Sequence, residues 1–370
     1  MEPPASWMLM ERSPDAGPAP HVARIAGVGR RLPATRLSTD DLMSSTRHRT
    51  GIDLERLTGI RERRVSRGEE DSLSLATAAA RDCLDRAGRR AEDVDLLVSC
   101  SITKYRGGLV QWFEPTTSQA VARAIGATGA TTFDLANACA GVLTGVLVAN
   151  NWVRRGAARR VLVVSGEYIS RLGTNAARHV RSIASREVAS LTLGDAGAAL
   201  LVERAEAGEP GIELAAFTTV AGHSRLCRAY PARHDPGARM YTRSRAIHRA
   251  AIADTRVLLE EVLDIAGLKL DDLDLVIPHQ TSVRAIRTGM REVGEALGHG
   301  RPHPEVVVTV DHYGNTASTT HGVALVEALE AGRIHAGDRV ALLSQASGLV
   351  IGVVLFTADE GLVACRGHDR

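Results

Sequence analysis

Aromatic side chains make up only 3% of this 370-residue sequence, and no apolar run is long enough to cross a membrane. Proteins that bind single-stranded nucleic acid stack bases on aromatic side chains, so their scarcity argues against that function. The formal net charge is +2, and the chain has no long basic tract with interleaved aromatic residues. The sequence therefore predicts a globular protein that binds neither nucleic acid nor membrane.

Cysteine and lysine are also scarce. The five cysteines are an odd number without a C-x-x-C pair, which argues against a disulfide framework, a zinc site or any other metal site. A reducing cytoplasm fits this pattern best, and the N-terminus has no apolar core typical of a signal peptide. The only lysines are Lys104 and Lys269, and neither has a setting that suggests Schiff-base chemistry.

One helix-strand pattern occurs twice in the chain. DRAGRRAEDVDLLVSCS at residues 85–101 matches DIAGLKLDDLDLVIPHQ at residues 264–280, and FDLANACAG at 133–141 is matched by VDHYGNTAS at 310–318. Two copies of one α/β unit imply two similar mixed sheets with helices between them. In such folds the equivalent strand ends converge on one crevice, which is where ligands bind.

This duplication divides the chain into three parts. Residues 1–20, rich in Pro and Ala, are predicted to be a flexible tail, residues 21–203 an N-terminal half and residues 204–370 a C-terminal half. The stretch from 203 to 246 contains several Gly and Pro residues. We interpret it as an irregular connection between the two halves.

Cys139 lies where a short strand, residues 131–135, turns into a helix that starts near Ala140. The N-terminus of a helix stabilises negative charge, and its free N–H groups can hold the oxyanion of a thioester under attack. A free cysteine is more often a small buried apolar residue. This stretch alone leaves both interpretations of Cys139 open, a nucleophile and a small buried apolar residue.

Two further polar residues fall at equivalent places in the duplication. His279 follows the second copy of the strand, and Asn315 lies in the second copy of the Cys139 loop. Cys139 could accept an acyl group, while His279 and Asn315 could donate hydrogen bonds to the oxygen of a second thioester as its neighbouring carbon becomes a carbanion. We predict that the three side chains meet in one site.

Five motifs in order resemble the ketoacyl synthase III branch of the thiolase superfamily. They are TGIRERRV at 58–65, FDLANACAG at 133–141, GDAGAALLV at 194–202, PHQTSVR at 278–284 and GNTAS at 314–318, within a match that runs from about residue 21 to about residue 357. The resemblance implies a thiolase fold of class α/β, in which two βαβαβ-type halves form five layers, α-β-α-β-α. It also implies a homodimer and a catalytic Cys139, His279 and Asn315.

The resemblance implies a reaction as well. The family takes an acyl group from coenzyme A or an acyl carrier protein and joins it to a second thioester, usually malonyl, with no metal or redox cofactor. Relatives that use acetyl coenzyme A carry Trp and Arg before TGIRER, where this chain has about Asp53 and Leu57. A carrier protein is therefore the expected donor.

Three other positions have predicted roles through the resemblance. The C-terminal loop ASGLVIG at 346–352 replaces a glycine-rich segment, and Gly348 is the expected oxyanion donor beside the backbone N–H of Cys139. Glu114 aligns with a family residue that lines the acyl tunnel of the partner subunit. In head-to-head Claisen enzymes a glutamate at this place is the base that acts on the acyl thioester. The alternative is an exposed loop glutamate beside Pro115. Arg284 and Arg287, with Arg291 on the same predicted helix, are candidates for docking an acidic carrier protein.

Three functions remain open from the sequence. The first is a ketosynthase III-like condensing enzyme of specialised fatty-acid or polyketide metabolism, with a malonyl or an acyl extender. The second is an acyltransferase that passes the Cys-bound acyl group to a hydroxyl or an amine. The third is a non-catalytic partner subunit, which the presence of Cys139, His279 and Asn315 disfavours.

Overall fold

The computed structural model describes residues 9–10, 21–297 and 304–367. Residues 1–8 and 11–20, which carry most of the predicted tail, lie outside the described residues. The backbone of Leu9–Met10 forms a two-residue strand. Among the described helices, none combines the length and the apolar composition needed to span a bilayer.

The described part of the chain alternates strands and helices. The strands are β1 (Leu9–Met10), β2 (Ala23–Arg31), β3 (Arg36–Ser38), β4 (Glu62–Arg64), β5 (Leu96–Ser99), β6 (Tyr105–Arg106), β7 (Val110–Gln111), β8 (Thr131–Asp134), β9 (Arg160–Glu167), β10 (Ala196–Arg204), β11 (Ile212–Thr219), β12 (Cys227–Pro231), β13 (Ala238–Thr242), β14 (Leu275–Pro278), β15 (Glu305–Val306), β16 (Arg339–Ala346) and β17 (Val350–Thr357). The helices are α1 (Thr39–Ser44), α2 (Leu54–Thr58), α3 (Ser72–Arg86), α4 (Thr117–Ile125), α5 (Gly141–Arg154), α6 (Ser170–His179), α7 (Ser244–Ala266), α8 (Val283–Ala296), α9 (Val310–Tyr313), α10 (Thr320–Glu330) and α11 (Glu360–Ala364).

Two mixed sheets carry the same topology. The first has the order β2-β10-β9-β5-β8, and the second has the order β11-β17-β16-β14-β15 with β1 added outside β11. In each sheet the first three strands are antiparallel and the last two continue in parallel. The duplication predicted from the sequence is therefore a duplication of the fold.

The helices form three layers around the two sheets. Helix α3 packs on the outer face of the first sheet, α5 and α10 lie between the sheets, and α7 packs on the outer face of the second. The central apolar core joins α5 and α10 to both sheets, as Val146, Leu325 and Val354 illustrate. The arrangement is the predicted five-layered α-β-α-β-α thiolase fold, and burial of the inner faces of both sheets supplies its main driving force.

Local sequence signals explain where the helices start. Asp71 caps α3, because its carboxylate accepts from the Ser74 N–H at 2.8 Å while the Ser74 hydroxyl accepts from the Asp71 N–H at 2.8 Å. Thr116 and Gln119 form the same capping box at α4. Such caps satisfy N–H groups that the first turn of a helix leaves free.

The connection between the halves is more regular than predicted. Residues 212–219 form β11 within the second sheet, and β12 and β13 form an antiparallel hairpin. Strand β11 has apolar residues at most positions and packs into the core. The Gly and Pro residues around it are typical of loops, so the sequence did not indicate a strand here. The prediction of an irregular stretch was therefore wrong for this part of the chain.

Candidate active site

Cys139 lies in a single 3-10 turn, Ala138–Ala140, between β8 and α5. Ala138 adopts a φ of 45°, a left-handed conformation that is unfavourable for residues other than glycine. The second half repeats this geometry, because Ala317 has a φ of 56° and opens the 3-10 turn Ala317–Thr319 before α10. Backbone strain conserved in both copies of a fold is typical of functional turns.

The thiol of Cys139 is held in its neutral form by the free protein. Burial is the main influence that raises its pKa, and Cys227 and Glu167 raise it further. Burial thus opposes ionisation of this thiol. The stabilisation of a thiolate by the helix N-terminus stays a prediction.

His279 follows β14 and is only 3% exposed. Its backbone N–H donates to the Leu343 carbonyl at 2.8 Å, which ties the residue to β16. The next residue fixes the loop: the Gln280 side chain donates to the Pro278 carbonyl at 2.8 Å and accepts from the Thr309 N–H at 2.8 Å. The imidazole is thus held on a rigid platform.

A second histidine lies against the first. The rings of His279 and His321 stack with centroids 6.1 Å apart, and one ring nitrogen of His321 contacts the Leu343 carbonyl at 3.0 Å. Burial lowers the pKa of His279 to about 3, with a smaller contribution from His321, and burial lowers the pKa of His321 to about 4. Both imidazoles are therefore neutral at physiological pH.

Asn315 is fixed through its backbone and its amide oxygen. Its N–H donates to the Thr192 carbonyl at 2.8 Å, and its carbonyl accepts from the Gly194 N–H at 3.0 Å. The Oδ1 atom accepts from the Ala317 N–H at 2.9 Å. This contact turns the Nδ2 donor away from the turn, and Nδ2 has no partner among the described residues.

One cavity contains all three side chains. It has a volume of about 1480 Å³, and Cys139, His279 and Asn315 are among the residues that line it. Two of these residues come from the C-terminal half and one from the N-terminal half. The convergence of equivalent loops that the duplication predicts is therefore present in the structure.

The side chains that line the cavity carry positive charge and no negative charge. Among the described residues, no Asp or Glu lines it. The arginines that line it are Arg171, Arg186, Arg228, Arg243, Arg245 and Arg284. An array of this kind attracts phosphate and carboxylate groups. Sequence reasoning identified only Arg284, because the other arginines come from segments that are distant in sequence.

Comparisons with known proteins show which family the chain is similar to. Residues 133–221 match the family model described as 3-oxoacyl-(acyl-carrier-protein) synthase III, and residues 263–358 match its C-terminal model. A β-ketoacyl-(acyl-carrier-protein) synthase III of Symbiobacterium thermophilum is 32% identical over 345 residues, which cover 89% of this chain and 96% of that protein. The chain belongs to the ketoacyl synthase III family.

Solved structures of this family and its relatives superpose over nearly the whole chain. The priming β-ketosynthase of the R1128 polyketide pathway matches with a TM-score of 0.78 and 26% identity, over 93% of this chain and 98% of that one. A Cys-to-Ser variant of Xanthomonas campestris OleA, solved with lauric acid and lauroyl-CoA, matches with a TM-score of 0.78 and 25% identity, over 91% and 99%. The chain is thus a ketosynthase III-like condensing enzyme with the thiolase fold, and a transferase.

Of the other residues predicted for this ketoacyl synthase III, one lines the cavity and two lie next to it. Arg284 lines the cavity, and Arg287 is exposed one turn further along α8. Gly348 lies in the turn between β16 and β17, where its neighbours Ser347 and Leu349 line the cavity. The oxyanion role of Gly348 and of the Cys139 N–H stays a prediction.

Glu114 does not line the cavity of its own chain. It is exposed and follows the hairpin of β6 and β7, next to Trp112 and Phe113, whose exposed fractions are 42% and 80%. The structure therefore brings Cys139, His279 and Asn315 together and leaves Glu114 outside. Any contact of Glu114 with a cavity requires a second chain.

A buried carboxylate beside the ketosynthase site was not predicted. Glu167, at the end of β9, is fully buried and accepts hydrogen bonds from the N–H groups of Ile102 and Thr103 and from the Ser318 hydroxyl. Ser318 occupies the place in the second turn that Cys139 occupies in the first. Burial raises the pKa of Glu167 to about 7.

Glu167 links segments that line the cavity from both halves, since Ile102 and Thr103 lie in one and Ser318 follows Ala317 in the other. The sequence signal for this residue is a single acidic residue at the end of the apolar strand RVLVVSGE. A charged residue at a strand end is usually solvent-exposed, so the pattern alone does not distinguish it.

Proposed function

We propose that this condensing enzyme loads an acyl group from an acyl carrier protein or coenzyme A thioester onto Cys139 and then joins it to a second thioester. The observation that carries the proposal is the shared cavity of Cys139, His279 and Asn315. A nucleophile and two neutral hydrogen-bond donors are what thioester carbon chemistry requires. The donor and extender thioesters are the only small molecules the route needs.

In the first step the Cys139 thiol loses its proton as its sulfur attacks the donor carbonyl carbon. A bond forms between that carbon and the sulfur, the donor carbon–sulfur bond breaks, and the leaving thiolate takes up the proton. The buried, neutral imidazole of His279 can relay this proton because its low pKa keeps one ring nitrogen unprotonated. The six arginines around the cavity fit the phosphate of a pantetheine arm.

In the second step a malonyl extender loses carbon dioxide and becomes a carbanion next to its thioester. Hydrogen bonds from His279 and from Nδ2 of Asn315 to the thioester oxygen stabilise the negative charge. The carbanion attacks the acyl carbon, the bond to the Cys139 sulfur breaks, and the thiolate takes up a proton from water. The contact between the Ala317 N–H and Oδ1 of Asn315 keeps Nδ2 free for this task.

The mass of the intact protein tests the first step. Incubation with acyl thioesters should add one acyl group, and peptide mapping should place it on Cys139 and not on Cys227, which lines the same cavity. Addition of malonyl carrier protein should then release a ketoacyl product. Acylation of Cys139 without a carbon–carbon product from any malonyl or acyl partner would contradict the proposal.

Asn315→Ala separates condensation from the alternative, transfer to a hydroxyl or an amine. Condensation passes through an enolate that Asn315 stabilises, whereas simple acyl transfer does not. We expect Asn315→Ala to keep Cys139 acylation and to lose at least about a hundredfold in condensation, the loss typical of a missing oxyanion donor. An unchanged rate of product formation would favour the transferase.

We further propose a homodimer in which Glu114 of one chain reaches the cavity of the other and acts as the base when the extender is an acyl thioester. The exposed Trp112 and Phe113 beside it support this, because large apolar side chains are normally covered. Mixing Cys139→Ser chains with Glu114→Gln chains tests it. Mixed dimers should regain activity at one of their two sites, and no regain would exclude action across the dimer.

A further inference from the structure

The cavity extends from Cys139 along an apolar wall in one direction. Ile169, Leu172 and Leu193 form a buried cluster, and Cys139, Ala238 and Met240 pack against it. All of these residues also line the cavity. An acyl group on the Cys139 sulfur therefore has an apolar surface beside it.

The wall continues beyond Ala238 to Gly237 and the β6–β7 hairpin. A Cβ atom built on Gly237 would lie 3.5 Å from the Tyr105 hydroxyl, 3.8 Å from Leu109 and 4.0 Å from the Cβ of Arg171. Tyr105 and Leu109 line the cavity together with Gly237. The apolar branch thus reaches from the nucleophile to a separate structural element rather than ending beside the sulfur.

The wall has little side-chain bulk at Ala238 and Gly237, both of which line the cavity. Among the described residues that line the cavity there is no Phe or Trp. The volume of about 1480 Å³ exceeds the range of roughly 300–1000 Å³ that is usual for small-molecule sites. A cavity that served only an acetyl group and a pantetheine arm would leave much of this apolar wall exposed to water, which is unfavourable.

We propose that the acyl group loaded on Cys139 is a medium or long chain, and that Ala238 is a specificity-determining residue that leaves the channel open. The inference rests on the proposed function, because it concerns the acyl group that Cys139 receives. Ala238 takes no part in bond making. Its role is to be small at a point where the wall from Cys139 continues to Gly237.

A series of saturated acyl thioesters, from acetyl through butyryl, octanoyl and lauroyl to palmitoyl, tests the inference. The rate of Cys139 acylation, followed by intact mass at limiting donor, should rise with chain length by up to about tenfold for each added pair of buried methylenes, until the channel is filled. Wild-type protein that is acylated fastest by acetyl donors would overturn the proposal, whatever the variants do.

Ala238→Leu should move the optimum to shorter chains and lower the ratio of the lauroyl rate to the butyryl rate at least about tenfold. Ala232→Leu is the matched control, because Ala232 lies in the same hairpin but does not line the cavity. Its ratio should equal that of the wild type. Identical chain-length profiles for Ala238→Leu and the wild type would overturn the assignment.

The two proposals fail in different ways. If no donor acylates Cys139, the proposed function fails. If acetyl and butyryl donors acylate it and longer donors do not, only the inference about chain length fails. Because the wild-type profile decides the latter, poor folding of Ala238→Leu would leave the test intact.

Discussion

The buried histidine pair gives a prediction for the pH dependence of stability. His321 is fully buried beside His279, and burial lowers its pKa from 6.5 to about 4. The unfolded chain therefore binds a proton at this histidine at a pH where the folded protein does not. Because folding lowers the pKa of His321, the folded state is most stable above pH 6.5, and this stability is lost as the pH falls toward 4.

The magnitude follows from linkage. Between about pH 7.5 and about pH 5.5, an unfolded histidine with a pKa of 6.5 changes from mostly neutral to mostly protonated, while His321 in the folded protein stays neutral. This difference lowers the free energy of unfolding by about 1.4 kcal/mol for this one residue. Glu167 acts in the opposite direction, because its raised pKa destabilises the folded state above pH 4.5 and this cost is relieved as the pH falls below 7.

The variant His321→Gln isolates the effect. Urea unfolding of the wild type and the variant at both pH values gives two changes in the free energy of unfolding, and the contribution of Glu167 is common to both proteins. The wild type should lose about 1.4 kcal/mol more than the variant on acidification. Equal losses would show that His321 can be protonated in the folded protein, and the neutral state of His279 would lose its structural basis.

The remaining predictions concern backbone packing, buried charge and docking. Gly194→Ala should lower Tm strongly, because a Cβ there would lie 2.2 Å from the Tyr313 carbonyl oxygen, whereas Gly222→Ala has open space and should melt like the wild type; similar Tm values for the two would contradict this. Arg24→Met should lower the free energy of unfolding in urea by about 3 kcal/mol, since Arg24 pairs with the buried carboxylates of Asp359 at 2.6 Å and Glu203 at 2.5 Å, while loss of the exposed Arg90 pair with Asp93 should leave it almost unchanged. Arg284→Gln should raise the KM for acyl carrier protein several-fold at low salt, more than Arg291→Gln on the same helix, because Arg284 lines the cavity and Arg291 does not. Equal KM values for the two variants would contradict a docking role for Arg284.

The elements that the sequence predicts well are those set by local periodicity. The apolar spacing of SLSLATAAARDCLDRAG at residues 72–88 predicts a helix, which is α3, Ser72–Arg86, and the strand predicted before Cys139 is β8. In both cases the apolar spacing, the capping residues and the turn lie within a few positions of one another. The internal repeat extended this local information to the topology, because both copies must fold in the same way.

The sequence could not predict the environment of the side chains. His321 lies 42 positions after His279, whose ring it stacks on, and Glu167 lies 28 positions after Cys139, whose pKa it raises, so packing rather than local sequence brings each pair together. The hairpin of β12 and β13 was hidden among glycines and prolines, yet it supplies Ala238 and Met240 to the acyl wall. Local sequence patterns do not predict such contacts, because strand pairing and burial depend on residues that are far apart in the sequence.

By itself, then, the order of residues determined the two-fold repeat, the family motifs and the identity of Cys139, His279 and Asn315 as the candidates for chemistry. The tertiary structure determined the burial and the protonation state of these side chains. Burial raises the pKa of the Cys139 thiol and keeps His279 neutral, because desolvation depends on how completely distant segments exclude water. The same long-range packing leaves Glu114 outside its own cavity and places Ala238 and Met240 against the apolar cluster beside Cys139, two properties that no window of sequence contains.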